Sequence, residues 1–89
     1  MAWQICYSPE AVRSLDKLDK PVARKLTNYM RDRISTLGDP RSVGKALRGS
    51  TWGDCWRYRC GDYRIIVDII DREILVSVLR IGHRKNIYL

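Results

Sequence analysis

At 89 residues with 45% apolar side chains, the chain can support one hydrophobic core and not two, which implies a single domain over 1–89 and excludes a disordered chain. Seventeen basic side chains against ten acidic ones give a net charge of +7; residues 1–40 carry seven Lys/Arg against five Asp/Glu, and residues 41–89 carry ten against five. The electropositive C-terminal half calls for nucleic acid or an acidic protein as partner. The N-terminus has neither a basic leader nor a long apolar run, and no later segment could span a bilayer, so a cytoplasmic protein without a membrane partner is expected. Cys6, Cys55 and Cys60 are an odd number without a C-x-x-C pair and are expected to be buried free thiols. With one histidine and no ligand spacing, neither a metal nor a cofactor is expected.

Residues 2–7 read as a first strand. Ser8-Pro9-Glu10 then supplies an N-cap, a proline at the first helical position and an acid in the first turn. Ala11, Val12, Leu15 and Leu18 form the apolar stripe of a first helix, and Pro21 restarts the pattern. The second helix carries Val22, Leu26, Tyr29, Met30, Ile34 and Leu37 on one stripe until Gly38-Asp39-Pro40 stops it. Residues 41–53, with three glycines, read as a structured loop. Residues 54–60, 63–71 and 74–81 read as a meander with turns at Gly61-Asp62 and around Arg72-Glu73, its Ile/Val-rich middle strand being central. Gly82 to Leu89 are expected to leave the sheet. The fold class is therefore α+β, an N-terminal strand and a two-helix hairpin followed by an antiparallel meander, with the helices on one face of a small twisted sheet.

The meander carries the chemistry. A strand's period of two puts Arg57 and Arg59 on one face, and a two-residue turn at Gly61-Asp62 would pair Cys60 with Tyr63 and set Arg59 directly across from Arg64. Like charges facing each other across a ladder are destabilising, so a domain that keeps three guanidinium groups on one patch is expected to be built around an anion, with phosphate the natural candidate. Trp52 and Trp56 could pack in the core or stack on nucleotides, and core packing is the safer assignment.

Three segments in this order, Lys45-Ala46-Leu47-Arg48-Gly49, Gly61-Asp62-Tyr63-Arg64-Ile65-Ile66 and Ile81-Gly82-His83-Arg84-Lys85-Asn86-Ile87-Tyr88, resemble the RelE branch of the RelE/ParE toxin superfamily over nearly the whole chain. The resemblance implies a RelE/microbial-RNase-like fold and a toxin of a type II toxin–antitoxin pair. It implies an endoribonuclease that enters the 70S ribosome and cuts mRNA in the A site by attack of the ribose 2′-hydroxyl on the adjacent phosphodiester, inhibiting translation. An acidic, RelB-like antitoxin is the implied partner, and operator DNA is implied for the toxin–antitoxin complex.

By the same resemblance Arg64 contacts the scissile phosphate, Arg84 acts on the phosphate or leaving group, and Tyr88 stacks on or orients the substrate base. Lys45 and Arg48 touch RNA backbone, or else belong to a solvated basic loop. Arg57 and Arg59 stand where the best-known branch carries lysines. Arginine stays protonated at physiological pH, so both can neutralise phosphate but neither suits a base, and proton transfer would fall to His83. Two other functions compete: a ParE-like inhibitor of DNA gyrase on the same fold, needing no active site, and a non-catalytic RNA-binding module.

Overall fold

In the computed structural model, which describes residues 2–47 and 54–87, the chain enters as strand β1 (Gln4–Tyr7) and turns at Ser8 into helix α1 (Pro9–Asp16). The Ser8 hydroxyl accepts the Ala11 N–H at 3.0 Å, so the expected cap is present, and Pro9 occupies the first turn. Helix α2 (Lys20–Tyr29) does not run unbroken to Leu37 as expected: Met30–Ile34 is a π turn, closed by the Ser35 N–H donating to the Met30 carbonyl at 2.9 Å. The widened turn keeps both Met30 and Ile34 in the core and ends at Ser35, whose hydroxyl donates to the Trp3 carbonyl at 2.6 Å and whose carbonyl accepts the Trp3 N–H at 2.8 Å. The apolar stripe of α1 holds at Ala11 and Leu15 and fails at Val12, which is 44% exposed. One residue on from Ala11 is about 100° around the helix, off the buried side.

Five strands form one sheet among the described residues, in the order β1-β5-β4-β3-β2, with β2 (Lys45–Ala46), β3 (Trp56–Cys60), β4 (Tyr63–Ile70) and β5 (Leu75–His83). The meander β3-β4-β5 is antiparallel with β4 at its centre, as expected, and β1 lies parallel to β5, Gln4 against Leu75 and Tyr7 against Val78. Two expectations change. The stretch 41–53 is not all loop, since Lys45 and Ala46 pair with Arg57 and Trp56, a two-residue strand too short for any periodicity to betray. Gly82 and His83 do not leave the sheet but complete β5 against Arg64 and Tyr63. Trp52 lies outside the described residues, and Trp56 packs half-buried against the core.

The helices cover one face of the sheet. Ala11, Leu26, Met30 and Ile34 meet Tyr58, Cys60, Ile65, Val67, Ile69, Val76, Val78 and Ile81 in the main core. Of the thiols, Cys55 and Cys60 are buried as expected, whereas Cys6 is exposed because it alternates outward on β1. No helix among the described residues is long and apolar enough to cross a membrane.

Outside the sheet, two contacts hold the connection from α2 to β2. Arg41 grips Asp71 through two hydrogen bonds at 3.1 and 2.6 Å, tying the loop to the turn between β4 and β5. Tyr58, wholly buried, donates its hydroxyl to the Pro40 carbonyl at 2.6 Å, and burial raises its phenol well above the ordinary range. Tyr58→Phe would leave that carbonyl without its donor and lower unfolding stability by about 1–3 kcal/mol. Urea unfolding at an unchanged m-value measures this, and a loss indistinguishable from zero would mean the hydrogen bond adds nothing to the fold.

Candidate nucleic-acid interface

The register of β3 and β4 builds the site. Cys60 pairs with Tyr63 and Arg59 with Arg64, so the turn holds the expected two residues, Gly61 and Asp62. Gly61 has φ +60° while Asp62 stays at negative φ, the arrangement of a type II′ turn, which places glycine first because a side chain there is strained. Residues paired across a ladder share a face. Lys45 pairs with Arg57, Arg57 with Ile66, Arg59 with Arg64 and Arg64 with Gly82, and all stand on the face turned away from Tyr58, Ile65 and Val67. The expected patch of Arg57, Arg59 and Arg64 therefore exists, and Lys45 joins it from a strand rather than from a loop.

Arg64 is the most enclosed of these cations, 8% exposed, and its Nη1 donates to the Gly61 carbonyl at 3.1 Å and to the Tyr63 carbonyl at 2.9 Å. The guanidinium is held against the turn before any ligand arrives. Arg84 meets the same turn from the other side: its N–H donates to the Asp62 carbonyl at 2.8 Å and its Nε lies 3.7 Å from an Asp62 carboxylate oxygen. That pair is largely exposed and contributes little to stability. Its effect is to keep Arg84 one residue of turn away from the group that holds Arg64.

His83 is not brought to this face. It pairs with Tyr63, one position on from the Arg64–Gly82 pair, and alternation sends its side chain to the helix side. There its ring stands edge-on to Tyr63 at 5.6 Å, and Nδ1 accepts the Lys85 N–H at 3.2 Å. Nearby, on the same side of the turn, Val22, Lys25, Leu26, Cys60, Asp62 and Tyr63 line a cavity of about 240 Å³. Burial raises the thiols of Cys60 and Cys55, so neither is poised as a nucleophile. Arg48 and Tyr88 lie outside the described residues.

A second, smaller apolar cluster sits on the arginine side: Cys55, Ile66 and Ile87 are buried, with Leu47 and Leu79 against them. Ile87 reaches it because the chain turns back after β5, the N–H groups of Asn86 and Ile87 both donating to the His83 carbonyl at 2.9 and 3.0 Å. A Cβ on Gly82 would lie 2.9 Å from Ile87 Cδ1 and 3.5 Å from its Cα, so glycine here is the gap into which the returning segment fits. Sequence reasoning missed this cluster, whose members come from five separated segments. It also passed over Arg80, which pairs with Ile66 on β4.

Known proteins share this fold. Residues 5–88 match the family described as the ParE toxin of the type II toxin–antitoxin system parDE. The chain is a RelE-like toxin of the RelE/ParE superfamily. Toxin RelG of Mycobacterium tuberculosis is 31% identical to it over 88 residues, 99% of this toxin and 98% of that one. The mRNA interferase toxin RelE of Escherichia coli K12 is 28% identical over 88 residues, 97% and 87% of the two chains. Among solved structures, the toxin–antitoxin complex RelBE2 of Mycobacterium tuberculosis superposes with a TM-score of 0.85 at 27% identity, covering 97% of this toxin and 95% of the matched chain.

Gly82→Ala tests how the toxin seats its returning segment. The added methyl would force Ile87 out of its cluster, accelerate amide exchange at Asn86 and Ile87 and lower stability by about 1–3 kcal/mol. Unchanged exchange at those two amides would show that the cluster yields to a methyl and that glycine is not required.

Proposed function

We propose that the toxin is a ribosome-dependent endoribonuclease that cuts mRNA in the A site. The observation that carries this reading is Arg64, 8% exposed and braced by two turn carbonyls on the face it shares with Arg57 and Arg59. A guanidinium positioned in advance on a cationic face suits charge that grows in the transition state, because little reorganisation is needed as the charge develops. The 28% identical Escherichia coli relative is named an mRNA interferase, which supports the same substrate class.

In this reading the ribose 2′ oxygen attacks the adjacent phosphorus, the bond from phosphorus to the 5′ oxygen breaks, and a 2′,3′-cyclic phosphate and a 5′-hydroxyl result. Arg64 holds the non-bridging oxygens, Arg57 and Arg59 neutralise the developing phosphorane, and Arg84 attends the leaving 5′ oxygen. The 2′ proton passes to water and water returns one to the 5′ oxygen, so His83, which pairs with Tyr63 on the other side of the sheet, takes no proton. Tyr88 stacks on the substrate base, and Lys45 and Arg48 contact RNA backbone. An acidic, RelB-like antitoxin neutralises the toxin, a reading supported by the RelBE2 relative, which was solved as a toxin–antitoxin complex, and the resulting pair binds operator DNA.

Single-turnover cleavage of mRNA on purified 70S ribosomes tests the assignment. Arg64→Ala should slow cleavage by about 10²–10³-fold. His83→Ala should stay well short of the roughly 10²–10⁴-fold cost of losing a general acid or base. A His83→Ala loss within that range would return proton transfer to the histidine, and an Arg64→Ala variant as fast as wild type would remove the proposed centre.

One observation favours a second reading, inhibition of DNA gyrase by protein contact: the family spanning residues 5–88 carries the ParE name. A supercoiling assay separates the two. The nuclease reading expects gyrase at its full rate with equimolar toxin present, whereas inhibited gyrase together with intact mRNA would put the ParE-like reading in its place.

A further inference from the structure

We propose that Arg80 is an RNA-backbone contact of the toxin, its contact with Glu10 giving way to phosphate; the inference rests on the ribosomal reading above. Its ground is a break in the register of β5. Ile66 pairs with Arg80 but the next residue, Val67, pairs with Val78, so Leu79 is an extra residue, a β-bulge. Val78 and Ile81 are both buried in the helix-side core, at 0% and 4% exposure, and two residues separate them where simple alternation allows one. Both intervening residues therefore leave the core side. Leu79 packs with Ile66 and Ile87, and Arg80, in register with Ile66, emerges on the face of Arg57, Arg59 and Arg64.

Without the bulge, alternation from Val78 would aim Arg80 at the core and turn Gly82 away from Arg64. The extra residue thus does two things at once: it rephases the strand so that Gly82 lies opposite Arg64, and it adds a cation to the same face. Arg80 stands two residues along β5 from Gly82, about 7 Å at a strand's rise, and extends the row of cations from β2 across to β5.

Glu10 engages Arg80 only loosely. The Arg80 Nε lies 3.7 Å from a Glu10 carboxylate oxygen, with the two side chains 29% and 56% exposed. Arg41 and Asp71, by contrast, close to 2.6 Å. A loose, solvent-screened pair at the rim is readily exchanged for a phosphate, which a guanidinium can grip through two donors. Either mRNA or ribosomal RNA could supply that phosphate.

The test is toxin binding to purified 70S ribosomes over a salt series, with vacant ribosomes in one arm. In the other, the ribosomes carry an mRNA whose A-site codon is 2′-O-methylated and cannot be cut. Arg80→Ala should weaken binding several-fold, without regard to codon sequence, and make the slope of log affinity against log salt shallower by about 0.7. Arg80→Lys should keep the slope, and Glu10→Gln should tighten binding. A change confined to the programmed arm assigns the phosphate to mRNA, and an equal change in both arms assigns it to ribosomal RNA. An Arg80→Ala protein that melts like wild type and keeps the wild-type slope in both arms overturns the inference while the nuclease reading stands. Wild-type toxin that binds neither form of ribosome overturns the ribosomal reading itself, and this one with it.

Discussion

The two-residue turn at Gly61–Asp62 is the constraint on which the rest of the site depends. Side chains alternate with a period of two, so a slip of one residue between β3 and β4 would set Arg59 beside Ile65 or Tyr63 instead of Arg64, burying the arginines of one strand and exposing that strand's core residues. The turn excludes that slip by admitting one geometry, with Gly61 at φ +60°. Its backbone carbonyls then serve a second purpose as acceptors: Gly61 for Arg64 and Asp62 for Arg84. One local structure thus sets the register and positions two of the cations.

Placing Arg59 directly across from Arg64 works against folding, since like charges on a ladder repel. The cost is met on the other side of the sheet. Among the described residues, twelve buried side chains from the helices and from β3, β4 and β5 form the main core, and that cohesion lets the opposite face keep a charge pattern that works against folding. The smaller cluster of Cys55, Ile66 and Ile87 adds apolar support within the cationic face. The main core and the cationic patch thus occupy opposite sides of one sheet, with Ile66 and Gly82 among the arginines.

How much of this could be read from the residues alone follows from the range over which each signal acts. The Ser8 cap, the restart near Pro21, the Gly61–Asp62 turn and the Arg59–Arg64 pairing are written within a few adjacent residues, and all were legible. Features that depend on distant partners were not. The π turn after Tyr29 ends at Ser35, which docks on Trp3; β2 exists only because Arg57 and Trp56 are there to pair with it; and the β5 bulge is defined by what faces it on β4. The side taken by His83 belongs to this second group. Its motif says that a histidine precedes Arg84, but only the rephased strand says that it faces Tyr63 rather than the arginines. Membership of the RelE/ParE superfamily was legible for a different reason, because it rests on several short motifs in a fixed order rather than on any one contact.

The parallel pairing of β1 with β5 has a consequence for the order in which this toxin takes shape. The first of the described strands finds its partner in the fifth: Gln4 meets Leu75, and the Ser8 hydroxyl bonds the Leu79 carbonyl 71 residues away. Helix α1, whose cap is tied to that carbonyl, cannot settle on the sheet until β5 exists. The sheet therefore cannot close on β1 until β5 has formed, and the long loop between the two makes that closure a slow step.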